Sequence, residues 1–356
     1  MPSLFDPITV GALSLPNRIV MAPLTRCRSV PETRVPVSMM AEYYAQRATA
    51  GLIISEATSV DPMGVGYAAT PGIWSDEQTE GWKGVTKAVH EAGGRMLLQL
   101  WHVGRISDPS FLNGKPPVSA SAIAAKGEVS LLRPKRPFPV PRALETEEIP
   151  GVIAAYKRGA ENAKAAGFDG VEIHGANGYL LDQFLQDSSN HRTDAYGGTR
   201  EKRARLMLEV ADAVAEVWGP QRVGMHLAPR ADSHGMGDSD RLATFTYVAR
   251  ELGKRDLAFI CAREARKDDS IGPAMKEAFG GVYIVNEGFT KESSEKALAD
   301  GVADAVAFGK LIIANPDLVD RFKTGAPLND WNVETFYSGG ANGYTDYPAL
   351  SKISAA

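Results

Sequence analysis

What most limits the fold of this chain is a repeat: short apolar runs, each followed by a stretch with helical spacing. The runs fall at 18–23, 52–57, 96–100, 170–174, 223–227, 257–261, 282–285 and 303–308. Helical stretches are predicted over 38–50, 78–92, 149–166, 200–218, 242–252, 271–279, 291–299 and 316–323. In the second of these Trp82, Val85 and Val89 share one face before Gly93-Gly94 ends it. Near-continuous apolar strands belong to parallel sheets covered by helices. Eight such units predict a closed (β/α)8 TIM barrel, with 1–356 as a single domain. An open, doubly wound sheet is the competing architecture, but no Gly-x-Gly-x-x-Gly follows the first strand. Two stretches stand outside the repeat. Ile8-Thr9-Val10, set between turn residues, predicts a short N-terminal hairpin. The proline-rich 108–142 has no period and predicts a long loop after strand three.

Of the 356 residues, 44% are hydrophobic, enough for a large buried core. The net charge of −4 comes from interleaved positive and negative residues, which is no footprint for nucleic acid. Two cysteines, Cys27 and Cys261, make no disulfide framework and suit a reducing compartment. With no charged-then-apolar leader and no run of about 18 apolar residues, a soluble cytoplasmic protein without a membrane partner is expected.

Barrel chemistry gathers at the C-terminal ends of the strands. Gly170 to Leu180 is the richest such end: Val171 and Ile173 alternate with Glu172 and His174, and the strand then breaks at Gly175 and Gly178. Within six residues it presents His174, Asn177 and Tyr179. Two of these can hold an electron-rich oxygen while the phenol offers a proton. Taken alone, His174 reads equally well as a core histidine. The other strand ends supply Pro23-Leu24-Thr25, Glu56-Ala57, Gln99-Leu100-Trp101-His102, His226 with Arg230 nearby, Asn286-Glu287-Gly288 and Phe308-Gly309-Lys310. No histidine or carboxylate recurs at metal-ligand spacing, so no metal is expected. No Gly-x-Ser-x-Gly elbow is present and neither cysteine has an evident base. Such equipment suits an organic cofactor that carries its own reactivity. Gly288, Gly309 and Lys310 stand where barrels hold a phosphate, with a short helix near Asn315 to point its N-terminus inward. A second reading makes Lys310 the Schiff-base lysine of a lyase or aldolase.

Several stretches together resemble the Old Yellow Enzyme family. They include Met21 to Arg26, Met40 to Arg47, Gln99 to Arg105, Gly170 to Leu180, Ser189 to Gly198, Ala305 to Gly309, Phe336-Tyr337 and Gly343 to Pro348. The resemblance runs from about residue 3 to 350. It is nearest to bacterial ene-reductases of the N-ethylmaleimide and glycerol trinitrate reductase type. It implies an FMN-dependent enzyme, NADPH or NADH as donor, and alternating hydride transfers through flavin N5. The implied substrates are alkenes activated by carbonyl or nitro groups, with nitrate esters as a further class, and the implied assembly is a monomer or homodimer. Carried over by motif, Pro23, Leu24, Thr25, Ala57, Gln99, His226, Gly288, Gly309, Lys310 and Tyr337 would contact FMN. Tyr67, Trp101, His174, Asn177 and Tyr337 would contact substrate. His174 and Asn177 would hold its oxygen, and Tyr179 would protonate the α-carbon. A flavin-binding protein without turnover is a third possibility.

Three departures from the family pattern matter. Strand five has His226 where an arginine near flavin N1 is common, so His226, or Arg230 reaching back, is expected to balance the charge of the reduced flavin. Strand eight ends in Gly309-Lys310 rather than Gly-Arg, which keeps the charge but loses the bidentate fork. Glu287 precedes Gly288 and is expected to face away from a phosphate.

Overall fold

A computed structural model describes residues 1–230, 233–264, 269–337 and 339–350. The chain opens with an antiparallel hairpin, β1 (Ile8–Val10) and β2 (Leu13–Leu15). Next come β3 (Ile19–Met21), β4 (Leu52–Ser59) and β5 (Met96–Trp101). The loop after β5 carries a two-residue pair, β6 (Val118–Ser119) and β7 (Arg142–Ala143). Then follow β8 (Gly170–His174), β9 (Val223–Leu227), β10 (Phe259–Arg263), β11 (Val282–Asn286) and β12 (Ala305–Phe308). Eight strands, β3-β4-β5-β8-β9-β10-β11-β12, pair in parallel and close into a barrel.

The helices between them are α1 (Ser38–Ala45), α2 (Asp76–Glu91), α3 (Ile149–Ala165), α4 (Leu180–Leu185) and α5 (Arg200–Trp218). After them come α6 (Arg241–Lys254), α7 (Gly272–Phe279), α8 (Lys291–Ala299), α9 (Lys310–Ala314) and α10 (Leu318–Thr324). In α2 the Ser75 hydroxyl and Gln78 amide form a reciprocal capping box, and Trp82, Val85 and Val89 pack inward. Each large apolar side chain so buried contributes roughly 2 kcal/mol.

Alternation along the strands makes two cores. Val171, Ile173, Val223 and Met225 face the helices. Val20, Ala22, Leu97, Phe259, Cys261, Ile284 and Ala307 fill the barrel, joined by Val10, Leu13 and Leu15 of the hairpin, which plugs its N-terminal end. Gly224 makes room for the Phe259 ring, since a Cβ there would sit 2.1 Å from it.

The expected barrel, hairpin and long loop are all present. Boundaries differ from expectation at several elements. Helix α1 stops at Ala45, short of Gly51, because tight turns carry the chain from Gln46 to Ala50. Strand six lies two residues later than its apolar run, since Leu257 and Ala258 are still closing the turn from α6. Helices α4 and α9 were not expected: six and five residues are too few to show a helical period. No helix among the described residues is long and apolar enough to cross a membrane.

Candidate active site

The C-terminal rim of the barrel is built by inward-facing residues at the strand ends. Gln99 and Trp101 come from β5, Glu172 and His174 from β8, His226 from β9 and Arg263 from β10. In β4 the register slips between Ile54 and Ala57, and this bulge brings Ala57 opposite Gln99. Past His174 the backbone turns through left-handed conformations at Asn177 (φ 58°) and Gly178 (φ 78°). The Gly178 amide donates to the buried Asp182 carboxyl at 2.9 Å, which fixes the turn against α4. Gln183 of α4 donates to the Gly178 and Val103 carbonyls, at 2.7 and 3.0 Å. The chemistry-bearing turn is thereby tied to the long loop after β5.

Four rings stand together there. The His174 and Tyr179 rings are 5.0 Å apart, Trp101 and Tyr179 are 5.0 Å apart, and Tyr67 stacks on Trp101 at 5.5 Å. The Tyr67 and Tyr179 hydroxyls are hydrogen-bonded at 3.0 Å. Burial, with repulsion from His226 and Arg263, holds the His174 imidazole well below its usual pKa, so it stays neutral. Burial beside Tyr67 holds the Tyr179 phenol well above 10, so it stays protonated. Asn177 accepts at Oδ1 from Arg263, and Arg263 also donates to Glu287 at 2.9 Å.

Gln99 donates to Glu172 at 2.7 Å, and His226 Nδ1 lies 3.5 Å from the same carboxylate. With Cys261 these two place an oxygen, a nitrogen and a sulfur within 4.8 Å of one another, a grouping of possible metal ligands that sequence spacing did not suggest. Burial, and secondarily Glu172, push the Cys261 thiol well above its usual range.

Most residues singled out in the sequence converge on this rim. Pro23, Leu24 and Thr25 lie half-buried just past β3, and Ala57 and Gln99 are buried. Tyr337 is 46% exposed and belongs to a tail segment pinned by Arg26, which donates to the Phe336 and Gly343 carbonyls at 3.0 and 2.7 Å. A Cβ at Gly288 would meet open space and one at Gly309 only Leu24, so backbone is accessible at both strand ends. The helix expected near Asn315 is α10, which starts at Leu318; the helix that directly follows Gly309 is α9, which starts at Lys310 and is capped by Asn315 at its other end. Lys310 is exposed, its ammonium 5.9 Å from the Trp331 ring. Arg230 is held by Glu264 and Asp269, both at 2.8 Å, which leaves His226 as the better placed of the two residues considered for balancing charge. Glu287 turns its carboxylate to Arg263. Both cysteines are buried and free.

Two rim residues escaped the sequence reading. Glu172 shares its parity with His174, which was signal enough. Arg263 lies two residues past Cys261, where the apolar run that marks strand six ends, so the run gives no sign of it.

Trp101 Nε1, Glu172 Oε1, His174 Nδ1 and both ring nitrogens of His226 are buried without hydrogen-bond partners. Unpaired buried polar atoms are costly, and so many along one rim fit a polar, planar group lying across it. A barrel with such a rim is suited to an enzyme that works through a planar organic cofactor.

Comparison with known proteins narrows this. Residues 3–329 match the NADH:flavin oxidoreductase / NADH oxidase family. The chain is 45% identical to 12-oxophytodienoate reductase 1 of Oryza sativa subsp. japonica, over 98% of this chain and 94% of that one. It is 43% identical to a probable flavin mononucleotide-dependent alkene reductase of Leishmania infantum, over 98% and 97%. Among solved structures, morphinone reductase in complex with tetrahydroNAD superposes with a TM-score of 0.95 at 49% identity, covering 98% of both chains. The chain belongs to the NADH:flavin oxidoreductase / NADH oxidase family, and is an FMN-dependent oxidoreductase of the Old Yellow Enzyme type.

Proposed function

We propose that this protein reduces carbon–carbon double bonds activated by a carbonyl or nitro group, with a reduced nicotinamide as electron donor. The observation that carries the reading is the pairing of a neutral His174 with a protonated Tyr179, rings 5.0 Å apart on one rim. FMN, when bound, supplies hydride transfer to the β-carbon of the alkene. Thr25, Ala57, Gln99 and His226, with Pro23 and Leu24, would hold its ring system, and Gly288, Gly309 and Lys310 its phosphate. Tyr337 would border both the ring and the substrate.

The chain's own groups then divide the remaining work. His174 and Asn177 donate hydrogen bonds to the substrate's carbonyl or nitro oxygen, where negative charge collects as the double bond is attacked. Donors fixed in advance at a site of developing charge lower the barrier. Tyr179 gives its proton to the α-carbon, completing saturation, and the Tyr67 hydroxyl at 3.0 Å supports the phenolate left behind. Trp101 and Tyr67 wall the space in which the alkene lies. His226, 3.5 Å from Glu172, would be the residue that balances the charge of the reduced cofactor.

The lyase reading loses ground because a Schiff-base lysine needs a desolvated setting, and Lys310 is exposed. A reducing, cytoplasmic setting accompanies the proposal and suits two buried free thiols. Replacing Tyr179 with Phe tests the assignment by rapid mixing of the two half-reactions. Reduction by NADPH should keep its rate, while reoxidation by 2-cyclohexenone should slow by about 100-fold. Equal rates in both halves would remove Tyr179 from the role.

A further inference from the structure

We propose that Arg263 is a positioning residue for this reaction: it fixes the Asn177 carboxamide so that its N–H donors face the substrate oxygen. The inference rests on the ene-reductase reading above and adds to it a residue outside the family motifs quoted.

A carboxamide presents two ends of nearly equal size and opposite polarity. Packing alone does not tell them apart; a partner of fixed polarity does. Asn177 is carried on a left-handed turn beyond the end of β8, not on the strand itself, so its side chain depends on a neighbour for orientation. That neighbour is Arg263, whose Nη1 donates to Asn177 Oδ1 at 3.0 Å. A guanidinium can only donate. The amide oxygen is therefore committed to Arg263, and Nδ2 is left for a ligand. Flipped, the same amide would set N–H against a cation and offer an oxygen to the substrate's oxygen.

Arg263 is itself held. It is the last residue of β10, in register with Asn286 of β11, and its Nη2 donates to Glu287 Oε1 at 2.9 Å. Glu287, at φ 89°, reaches it from a left-handed turn just past β11. Three strand ends, of β8, β10 and β11, are thus joined through one planar fork. The fork's charge also acts on the site: it opposes protonation of His174 and pulls the Tyr179 phenol down against the rise from burial. With the Arg263 side chain 41% exposed, water screens much of that charge, and orientation of Asn177 is the larger effect.

The test is binding, not turnover. The oxidised FMN-loaded protein is titrated with 2-cyclohexenone and the flavin spectrum gives the dissociation constant. Arg263→Met should weaken enone binding by about tenfold. Placed on Asn177→Ala, the same substitution should change binding by less than about twofold, since the group it orients is gone. Arg263→Lys, which keeps a donor for Oδ1, should bind more tightly than the Met variant, and it carries the test if the Met variant does not hold FMN. Wild-type affinity in Arg263→Met, a full tenfold loss on Asn177→Ala, or equal losses with Lys and Met would each overturn the inference. Failure of the wild-type holoprotein to bind the enone would instead refute the proposed function on which it rests.

Discussion

Tyr179 can act as an acid only while it keeps its proton, and its surroundings secure this. Burial and the neighbouring Tyr67 raise its pKa above the ordinary phenol value, so the protonated form persists past about pH 10. His174 shifts the other way; its neutral form, present above its folded pKa, extends to pH values below the ordinary 6.5. Single-turnover reoxidation of the reduced enzyme by an enone should therefore be level from about pH 6.5 to about pH 10. A limb inside that range that vanishes in Tyr179→Phe would contradict the assignment. His174, Asn177, Tyr179, Gln99 and Trp101 were legible in the sequence because they sit in one motif or at evident strand ends. Arg263 was not, because the apolar run Leu257–Cys261 ends two residues before the strand does. Nor could spacing reveal that Glu172, His226 and Cys261 meet, since the contact exists only across three closed strands.

The bulged strand β4 illustrates what an element gives up to shape a site. Through and past the bulge it buries Ser55, Glu56, Thr58 and Ser59, a polar run that reads as the end of a strand, and the expected boundary lies at Ala57. The Glu56 carboxyl, fully buried near Arg26 and Tyr44, is pushed up from 4.5 to about 7, chiefly by loss of solvent. Its folded pKa lies above its unfolded one, so the folded state holds the proton more tightly. The resulting stability is fully present below about pH 4.5 and is lost as pH rises through about 7. Asp182, which anchors the turn at α4, is raised from 3.8 to about 7 and acts in the same direction. Thermal midpoints should accordingly fall between about pH 5 and pH 8, and Glu56→Gln should flatten part of that fall. An identical slope in wild type and variant would show that Glu56 ionises freely in the folded protein. Long elements with strong periods, such as α2 and α5, were read to within two residues. The short helices α4 and α9 went unread, and the first is wholly buried, leaving no polar face to mark a period.

At the scale of the molecule, the architecture follows from a small number of physical demands. Eight apolar strands need cover on their outer face, and the helices provide it. The barrel needs a floor, and the β1–β2 hairpin fills it, turning at Gly11, where a Cβ would lie 2.1 Å from the Gln221 carbonyl oxygen. The opposite end is left polar, incompletely hydrogen-bonded, and bordered by the loop after β5 and the tethered tail. All of the chemistry argued above lies at that end. The most direct test is an anaerobic visible spectrum of the purified protein loaded with FMN, recorded before NADPH, after NADPH, and again after 2-cyclohexenone. The account predicts flavin absorbance that bleaches with the nicotinamide and returns with the enone. A protein that stays colourless after FMN is supplied, or a reduced flavin that the enone does not reoxidise, would contradict it.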